Sequence, residues 1–103
     1  MTSPKTVVRR WIAAFNAADP DALAALYRED AVNHQAAPEP VTGRDAIRAA
    51  LAVTTTTECL PENLFEDGEW AILEWRDPEG RHACTLFHII DKQIALQRDF
   101  SAV

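Results

Sequence analysis

The fold is decided by residues 69–90, which read EWAILEWRDPEGRHACTLFHII. Apolar and polar side chains alternate here with a period of two on both sides of Pro78-Glu79-Gly80, which is a turn signal. Asp67-Gly68 and Asp91-Lys92 are two further turn signals. The C-terminal half is therefore predicted to be an antiparallel meander, with a weakening or bulge at Pro61. With a short strand before it, the predicted strands are residues 31–35, 58–65, 69–77, 81–90 and 93–100.

The N-terminal half has helical periodicity instead. Ser3-Pro4 is a helix start, and apolar residues then recur at spacings of three and four over about fourteen residues. Asp19-Pro20 repeats the signal for a shorter second helix, which we expect to include Tyr27. Thr42-Gly43 opens a third helix, which the β-branched run of residues 54–57 ends. Three helices followed by a meander predict an α+β fold with a curved sheet around one internal pocket.

The composition is that of an acidic globular protein. The chain has 103 residues, a hydrophobic content of 48% and a net charge of −6, which predicts one domain over residues 1–103. An acidic chain with no basic stripe is a poor binder of nucleic acid. We expect no membrane association and a cytoplasmic location, because no signal peptide or long apolar stretch is present. The three histidines lack metal-ligand spacing and glycines are few, so we expect neither metal nor cofactor.

Neither long strand of the meander has a uniformly polar face. Alternation places Ile72, Leu86 and Ile90 on one face, and other apolar residues on the opposite face. A sheet with two apolar faces is covered on both sides. The helices cover one face, and we expect the second face to pair with another copy in a homodimer.

Several short segments and their order point to a known family. They are the amphipathic first helix, residues 31–35, residues 40–47 and the closing run 87–100. Together they resemble the SnoaL-like branch of the nuclear transport factor two-like superfamily, over nearly the whole chain. One departure is Gln93 in the last turn, where the family usually has Asp-Gly-Lys and this chain has Asp91-Lys92-Gln93.

The resemblance implies a cone-shaped fold, in which a strongly curved, mainly antiparallel sheet wraps three N-terminal helices and leaves a pocket at its open end. Members of the superfamily are often homodimers. They include polyketide cyclases, ketosteroid isomerases, limonene-type epoxide hydrolases and many binders without catalysis. The fold alone therefore does not fix the function.

The resemblance also places polar residues in the pocket. Asp99 falls where the family has a pocket aspartate on its last strand, and Asp77 falls at the second acidic position of the epoxide hydrolases. The arginine expected between these acids is replaced by Trp75. Asn33 and Gln35 fall where the epoxide hydrolases hold a nucleophilic water. Strand parity then makes the inward set Trp75, Asp77, Thr85, Phe87, Gln97 and Asp99.

Each candidate has a functional and a structural interpretation. Desolvation would raise the pKa of Asp99 and suit it to general acid–base catalysis, whereas an exposed Asp99 would pair with Arg98 or another cation. Asp77 either lines the pocket or starts the following turn. Residues 33–35 either orient substrate or water, with His34 as an acid–base candidate, or cap the proline-rich loop.

Two functions follow from these residues. The first is an isomerase, cyclase or dehydratase that binds a small apolar organic ligand and uses Asp99, with His34 as a second catalytic candidate. The alternative is a ligand-binding or dimerisation module without catalysis. Epoxide hydrolysis would require Arg76 or Arg98 to reach the pocket. The predicted ligand contacts are Asn33, Gln35, Trp75, Asp77 and Phe87.

Overall fold

The computed structural model describes residues 2–34, 39–54 and 56–101. Three helices pack against a curved six-stranded sheet with the order β2-β1-β6-β5-β4-β3. Neighbouring strands are antiparallel except β1 and β6, which are parallel. The fold is therefore α+β, as predicted. Its elements are α1 (Pro4–Asn16), α2 (Pro20–Ala24), β1 (Tyr27–His34), β2 (Val41–Thr42), α3 (Arg44–Thr54), β3 (Leu60–Asp67), β4 (Trp70–Arg76), β5 (His82–Ile90) and β6 (Gln93–Ser101).

Helix α1 begins where the sequence predicts. The Ser3 side chain accepts a hydrogen bond from the Thr6 backbone N–H at 3.3 Å, and Pro4 occupies the first turn. A proline costs no hydrogen bond there, because the first N–H groups of a helix have no partner within it. The apolar face of α1 is buried against the inner face of the sheet and carries Val7, Val8, Trp11 and Phe15.

The segment after α2 differs from the prediction. Helix α2 ends at Ala24, and Tyr27 begins β1 instead of extending the helix. Tyr27 pairs with Ile94 of β6, whose N–H donates to the Leu26 carbonyl at 2.7 Å. This long-range pairing outweighs the local helix propensity of an alanine-rich segment, because propensity differs by less than about 1 kcal/mol per residue. Strand β1 continues to His34, and Gln35 lies outside the described residues.

The meander agrees with the prediction. The register of β3 and β4 shifts between Pro61 and Asn63, where the sequence predicts a bulge. The β5–β6 turn has positive φ at both Asp91 (50°) and Lys92 (68°). Two consecutive positive φ values match the right-handed twist of the strands that they connect.

The two faces of the sheet have different environments. The inner face of β4 and β5 is fully buried at Ala71, Leu73 and Phe87. On the outer face, Phe65 pairs with Ile72 across β3 and β4, and Ile72 pairs with Leu86 across β4 and β5. We call Phe65, Ile72 and Leu86 the outer apolar row. No helix in the described part of the chain is long and apolar enough to cross a membrane.

Candidate functional site

A cavity of about 460 Å³ lies where the β4–β5 turn approaches the end of β6. Helix α1 contributes Trp11 and Phe15, and β4 contributes Trp75. Gln97 and Asp99 line the cavity from β6, and both point inward because they are two residues apart on one strand. The volume is in the range of cavities that hold small organic molecules.

Aromatic rings make up much of the wall. Trp11 and Phe15 are stacked, with ring centroids 5.0 Å apart and planes 23° apart. Phe15 in turn meets Trp75 edge to face at 6.2 Å. The three rings fix one another, since offset-stacked and edge-to-face contacts are the favoured arrangements of aromatic pairs. The wall is therefore apolar and rigid.

Asp99 is the carboxylate inside this wall. It is partly buried, and both of its oxygens accept hydrogen bonds from Gln97 Nε2, at 3.1 and 3.3 Å. Burial raises the pKa of Asp99, and hydrogen bonds from Gln97 and Thr85 oppose that rise. No ion pair among residues 2–34, 39–54 and 56–101 involves Asp99. The carboxylate therefore meets neutral donors only, and the predicted pairing with Arg98 is not formed.

A directed chain of hydrogen bonds leads to Asp99. The Trp11 indole N–H donates to the Tyr27 hydroxyl at 3.0 Å, and that hydroxyl donates to Gln97 Oε1. An indole N–H can only donate, so the Tyr27 proton is directed to the Gln97 carbonyl and the Gln97 amide N–H is left for Asp99. Burial, together with the nearby charge of Asp99, raises the pKa of Tyr27 far above its ordinary value. Tyr27 is therefore a neutral donor in this chain of hydrogen bonds.

A second, shorter set of contacts lies beside the same carboxylate on β4 and β5. The Trp75 indole N–H donates to Thr85 Oγ1 at 3.1 Å. Thr85 is opposite Asp99 in the β5–β6 register, and its hydroxyl opposes the rise in the pKa of Asp99. Indole groups of the cavity wall thus hold both polar residues beside Asp99: Gln97 through Tyr27, and Thr85 directly.

Asp77 has a different environment at the mouth of the cavity. Its carboxylate accepts hydrogen bonds from the backbone N–H groups of Glu79 and Arg81 and from Arg81 Nε, each at 2.9 Å. These bonds, with the Arg81 backbone N–H contributing most, hold the pKa of Asp77 below its ordinary value. Asp77 therefore starts the turn and also lines the cavity mouth, so both interpretations of this residue apply.

The same turn brings Arg81 to the cavity lining, whereas Arg76 and Arg98, which epoxide hydrolysis would require there, are not part of it. Arg81 bonds to Asp77 and also, through Nη2, to Glu79. The acidic residue four positions before Arg81 indicates their ion pair, but it does not indicate that Arg81 lines the cavity.

The predicted residues of β1 lie apart from this cavity. Asn33 is fully buried opposite Gln97 in the β1–β6 register, and within the described part of the chain neither its amide nitrogen nor its amide oxygen has a hydrogen-bond partner. His34 is partly buried, opposite Arg98. Neither residue is part of the cavity lining.

Phe87 does not line the cavity either; it lies behind the aromatic wall. It is fully buried and meets Trp11 edge to face at 5.3 Å, which makes it part of the core under the cavity. Tyr27 is a polar residue near the site that the sequence pattern does not reveal, because the local helix signal extends over its position and it lies beside β6. In the described ranges, no group of three His, Cys, Asp or Glu side chains could hold a metal ion.

Comparison with known families identifies the domain. The sequence matches the SnoaL-like domain over residues 8–97. The chain belongs to the SnoaL-like family. No functionally curated protein matches this SnoaL-like chain.

Solved structures share the fold of this SnoaL-like protein. A protein from Sphaerobacter thermophilus superposes with a TM-score of 0.90 at 16% identity, covering 100% of this chain and 99% of its own. A Catenulispora acidiphila DSM 44928 protein with a ketosteroid isomerase-like fold, in complex with trimethylamine, has a TM-score of 0.82 and 21% identity, covering 99% of this chain and 88% of its own. A Sinorhizobium meliloti protein, provisionally named a polyketide cyclase, has a TM-score of 0.83 and 20% identity, covering 91% of this chain and 93% of its own. Identities this low establish the fold alone.

Proposed function

We propose that this SnoaL-like protein binds a small organic molecule in the cavity and acts on it by general acid–base catalysis through Asp99. The observation that carries the proposal is the environment of Asp99: a partly buried carboxylate beside aromatic walls, held by neutral donors and without an ionic partner among the described residues. The reaction class is isomerisation, cyclisation or dehydration.

The chemistry follows from this environment. A carboxylate oxygen of Asp99 would take a proton from a carbon next to a carbonyl group of the ligand. The C–H electron pair would then move toward that carbonyl, and the proton held on Asp99 would return to another atom of the ligand. A raised pKa makes the carboxylate a stronger base and brings it closer to the pKa of a carbon acid.

The buried amide of Asn33 supports a second polar contact, with ligand or water. A buried amide without partners costs about 1–3 kcal/mol, so its presence is favoured where a ligand or an ordered water pairs with it. We therefore retain Asn33 as a residue that orients water or ligand. His34, beside it on β1, remains the second candidate for proton transfer, and Gln35 lies outside the described residues.

The relatives support a small-molecule ligand. One is provisionally named a polyketide cyclase, and another was solved in complex with trimethylamine. Both have the fold of this protein, so a fold of this kind accommodates small molecules.

The experiment is a thermal-shift screen of small cyclic carbonyl compounds, followed by product analysis of each compound that stabilises the protein. We expect stabilisation and product with the wild type. Asp99→Asn, which keeps the shape of the side chain and removes its basicity, should still fold but form no product. Full activity in Asp99→Asn would contradict the proposed mechanism.

A second candidate function is ligand binding without catalysis. Two points favour it. The resemblance places Trp75 where the epoxide hydrolases of the superfamily have an arginine, and Asp77 accepts three hydrogen bonds within its own turn. This function predicts thermal stabilisation by a compound that is recovered unchanged. Turnover of any bound compound would exclude it.

We also propose a homodimer formed through the outer apolar row, with a second copy of this chain as the occupant. Phe65 and Ile72 are 52% and 38% exposed, and they are in register across the sheet. A row that crosses three strands suits a two-fold interface, in which the same patch faces itself. Light scattering should give about twice the monomer mass of 11.5 kDa.

A matched pair of variants tests that interface. Ile72→Lys should give the monomer mass, because it places a charge inside the proposed interface. Val53→Lys adds the same charge to α3, at a residue that is 74% exposed and outside the row, and should leave the dimer intact. A wild-type mass near that of the monomer would refute the dimer.

A further inference from the structure

The aromatic residues of the cavity have no polar group left for a ligand. The indole N–H groups of Trp11 and Trp75 are both used, by Tyr27 and Thr85. Phe15 has no polar atom. What these rings offer to the cavity is therefore carbon surface and π-electron density. A π face is electron-rich and attracts a cation that lies against it.

The charged groups of the cavity point to the same class of ligand. Asp99 has no ionic partner in the described part of the chain, and its donors are neutral. The guanidinium of Arg81, at the mouth, is bonded to both Asp77 and Glu79. Among the described residues, the cavity lining therefore holds two carboxylates, Asp77 and Asp99, against one guanidinium, whose charge is also offset by Glu79 outside the lining. A positive ligand is attracted both by the aromatic rings and by the unpaired carboxylate of Asp99.

We propose that the cavity selects an organic cation, a tertiary or quaternary ammonium compound, over a neutral molecule of the same shape. This inference rests on the proposed function, since it names the class of ligand that the same cavity takes. The ammonium group would lie against Trp11, Phe15 and Trp75, with Asp99 as its counter-ion. The remaining volume of the cavity accommodates the carbon skeleton that carries the cation.

The energetic reason is that Asp99 is desolvated before the ligand arrives. A partly buried carboxylate without a cation loses hydration that neutral donors replace only in part. A ligand cation supplies the missing charge in a place from which water is partly excluded, where the attraction between opposite charges is stronger than in bulk water. A neutral isostere makes the same apolar contacts and lacks this attraction.

The test compares choline with 3,3-dimethylbutan-1-ol, which replaces the ammonium nitrogen by carbon and keeps the shape. Isothermal titration of the full chain at millimolar concentrations should show choline binding roughly tenfold tighter than the neutral alcohol. In Asp99→Asn this preference should fall to about threefold or less, with the aromatic contribution remaining.

Two further variants complete the design. Asp91→Asn makes the same substitution at a side chain that is 91% exposed in the β5–β6 turn, and it should keep the full preference. Trp75→Leu keeps an apolar wall and removes a π face, so it should weaken choline more than the alcohol. This variant keeps the test decisive if Asp99→Asn does not fold.

The outcomes separate this inference from the proposed function. Equal or tighter binding of the neutral alcohol overturns the cation preference, and leaves the proposed function supported by binding in the cavity. Choline binding that neither Asp99→Asn nor Trp75→Leu weakens places the cation elsewhere and overturns the inference. If neither choline nor the alcohol binds, the inference fails. The proposed function fails with it only if the cyclic carbonyl compounds do not bind either.

Discussion

The two aspartates of the cavity lie in contrasting regions. Asp77 belongs to the β4–β5 turn, where two backbone N–H groups and a guanidinium satisfy it and hold its pKa low. Asp99 lies near the end of β6, where burial raises its pKa and its hydrogen-bond partner among the described residues is neutral. The same side chain is a structural anion in one region and, in the proposed function, a reactive group in the other.

The difference shows which part of the environment decides the pKa of each carboxyl group. Both carboxylates accept hydrogen bonds, so their number of partners does not separate them. The charge of the partners does, because the Arg81 cation stabilises the ionised form of Asp77, whereas burial beside neutral donors destabilises the ionised form of Asp99. Four predictions test this contrast.

The largest expected effect is on turnover. For any compound that the wild type converts, Asp99→Asn should lower kcat/KM by at least about 100-fold, because general acid–base catalysis contributes that much or more. Asp77→Asn, at the mouth of the same cavity, should retain kcat/KM within about threefold. Steady-state kinetics on both variants measure the effect. Equal losses in the two variants would remove the distinction between the regions.

The next effect is on stability. Tyr27→Phe removes the hydroxyl between Trp11 and Gln97, which leaves a buried indole N–H and an amide oxygen unpaired. The free energy of unfolding in urea should fall by about 2 kcal/mol. Thr42→Val removes an exposed hydroxyl from β2 and should change the free energy of unfolding by less than about 0.5 kcal/mol. A similarly small change in Tyr27→Phe would mean that the hydrogen bonds leading to Asp99 add nothing to the free energy of unfolding.

A smaller effect of opposite sign is expected at Asn33. Asn33→Val replaces a buried amide without partners by an apolar side chain that suits a strand. The free energy of unfolding should rise by about 1 kcal/mol, while ligand affinity should fall if this amide orients ligand or water. Loss of stability in Asn33→Val would show that the amide is paired in the folded protein in solution, and would contradict the expected gain.

The smallest effect is on the pH dependence of stability, where the two aspartates should act in opposite directions. Asp99 ionises less readily in the folded chain, so its contribution to stability should fall as pH rises from the ordinary value of 3.8 toward its raised pKa. Asp77 ionises more readily when the chain is folded. Its contribution to stability should therefore be complete above about pH 3.8 and be lost as the pH falls below that value.

This pH dependence is measured by urea unfolding from acid to neutral pH. The difference between wild type and Asp99→Asn should shift against the wild type with rising pH. The difference between wild type and Asp77→Asn should shift in favour of the wild type. Profiles of the same sign would contradict the assigned environments.

Much of the fold could be predicted because its signals are local. The Ser3-Pro4 start, the period of two in β4 and β5, and the Asp91-Lys92 turn each depend on neighbouring residues. The position of Tyr27 could not be predicted in the same way. Its strand is stabilised by pairing with Ile94, which is remote in sequence, so no local pattern contains that information.

The site was predictable to a similar extent. Strand parity suffices to place Trp75 and Asp99 on the inner face, because alternation is a property of a single strand. Parity does not give depth along the strand, so Phe87 lies in the core behind Trp11 although it is on the correct face. The Arg81 side chain reaches the cavity through the geometry of a turn, which residue types alone do not determine.

The position of β6 has a consequence for how the chain folds. This strand is the last in chain order, yet it lies between β1 and β5 and carries both Gln97 and Asp99. Its pairing with β1 joins residues as distant as Tyr27 and Ile94, and contacts of such long range slow folding because a large loop must close first. During synthesis, β1 therefore waits for its partner until nearly all of the described chain has left the ribosome. Closure of the sheet between β1 and β5 and assembly of the site therefore occur together, because both require β6.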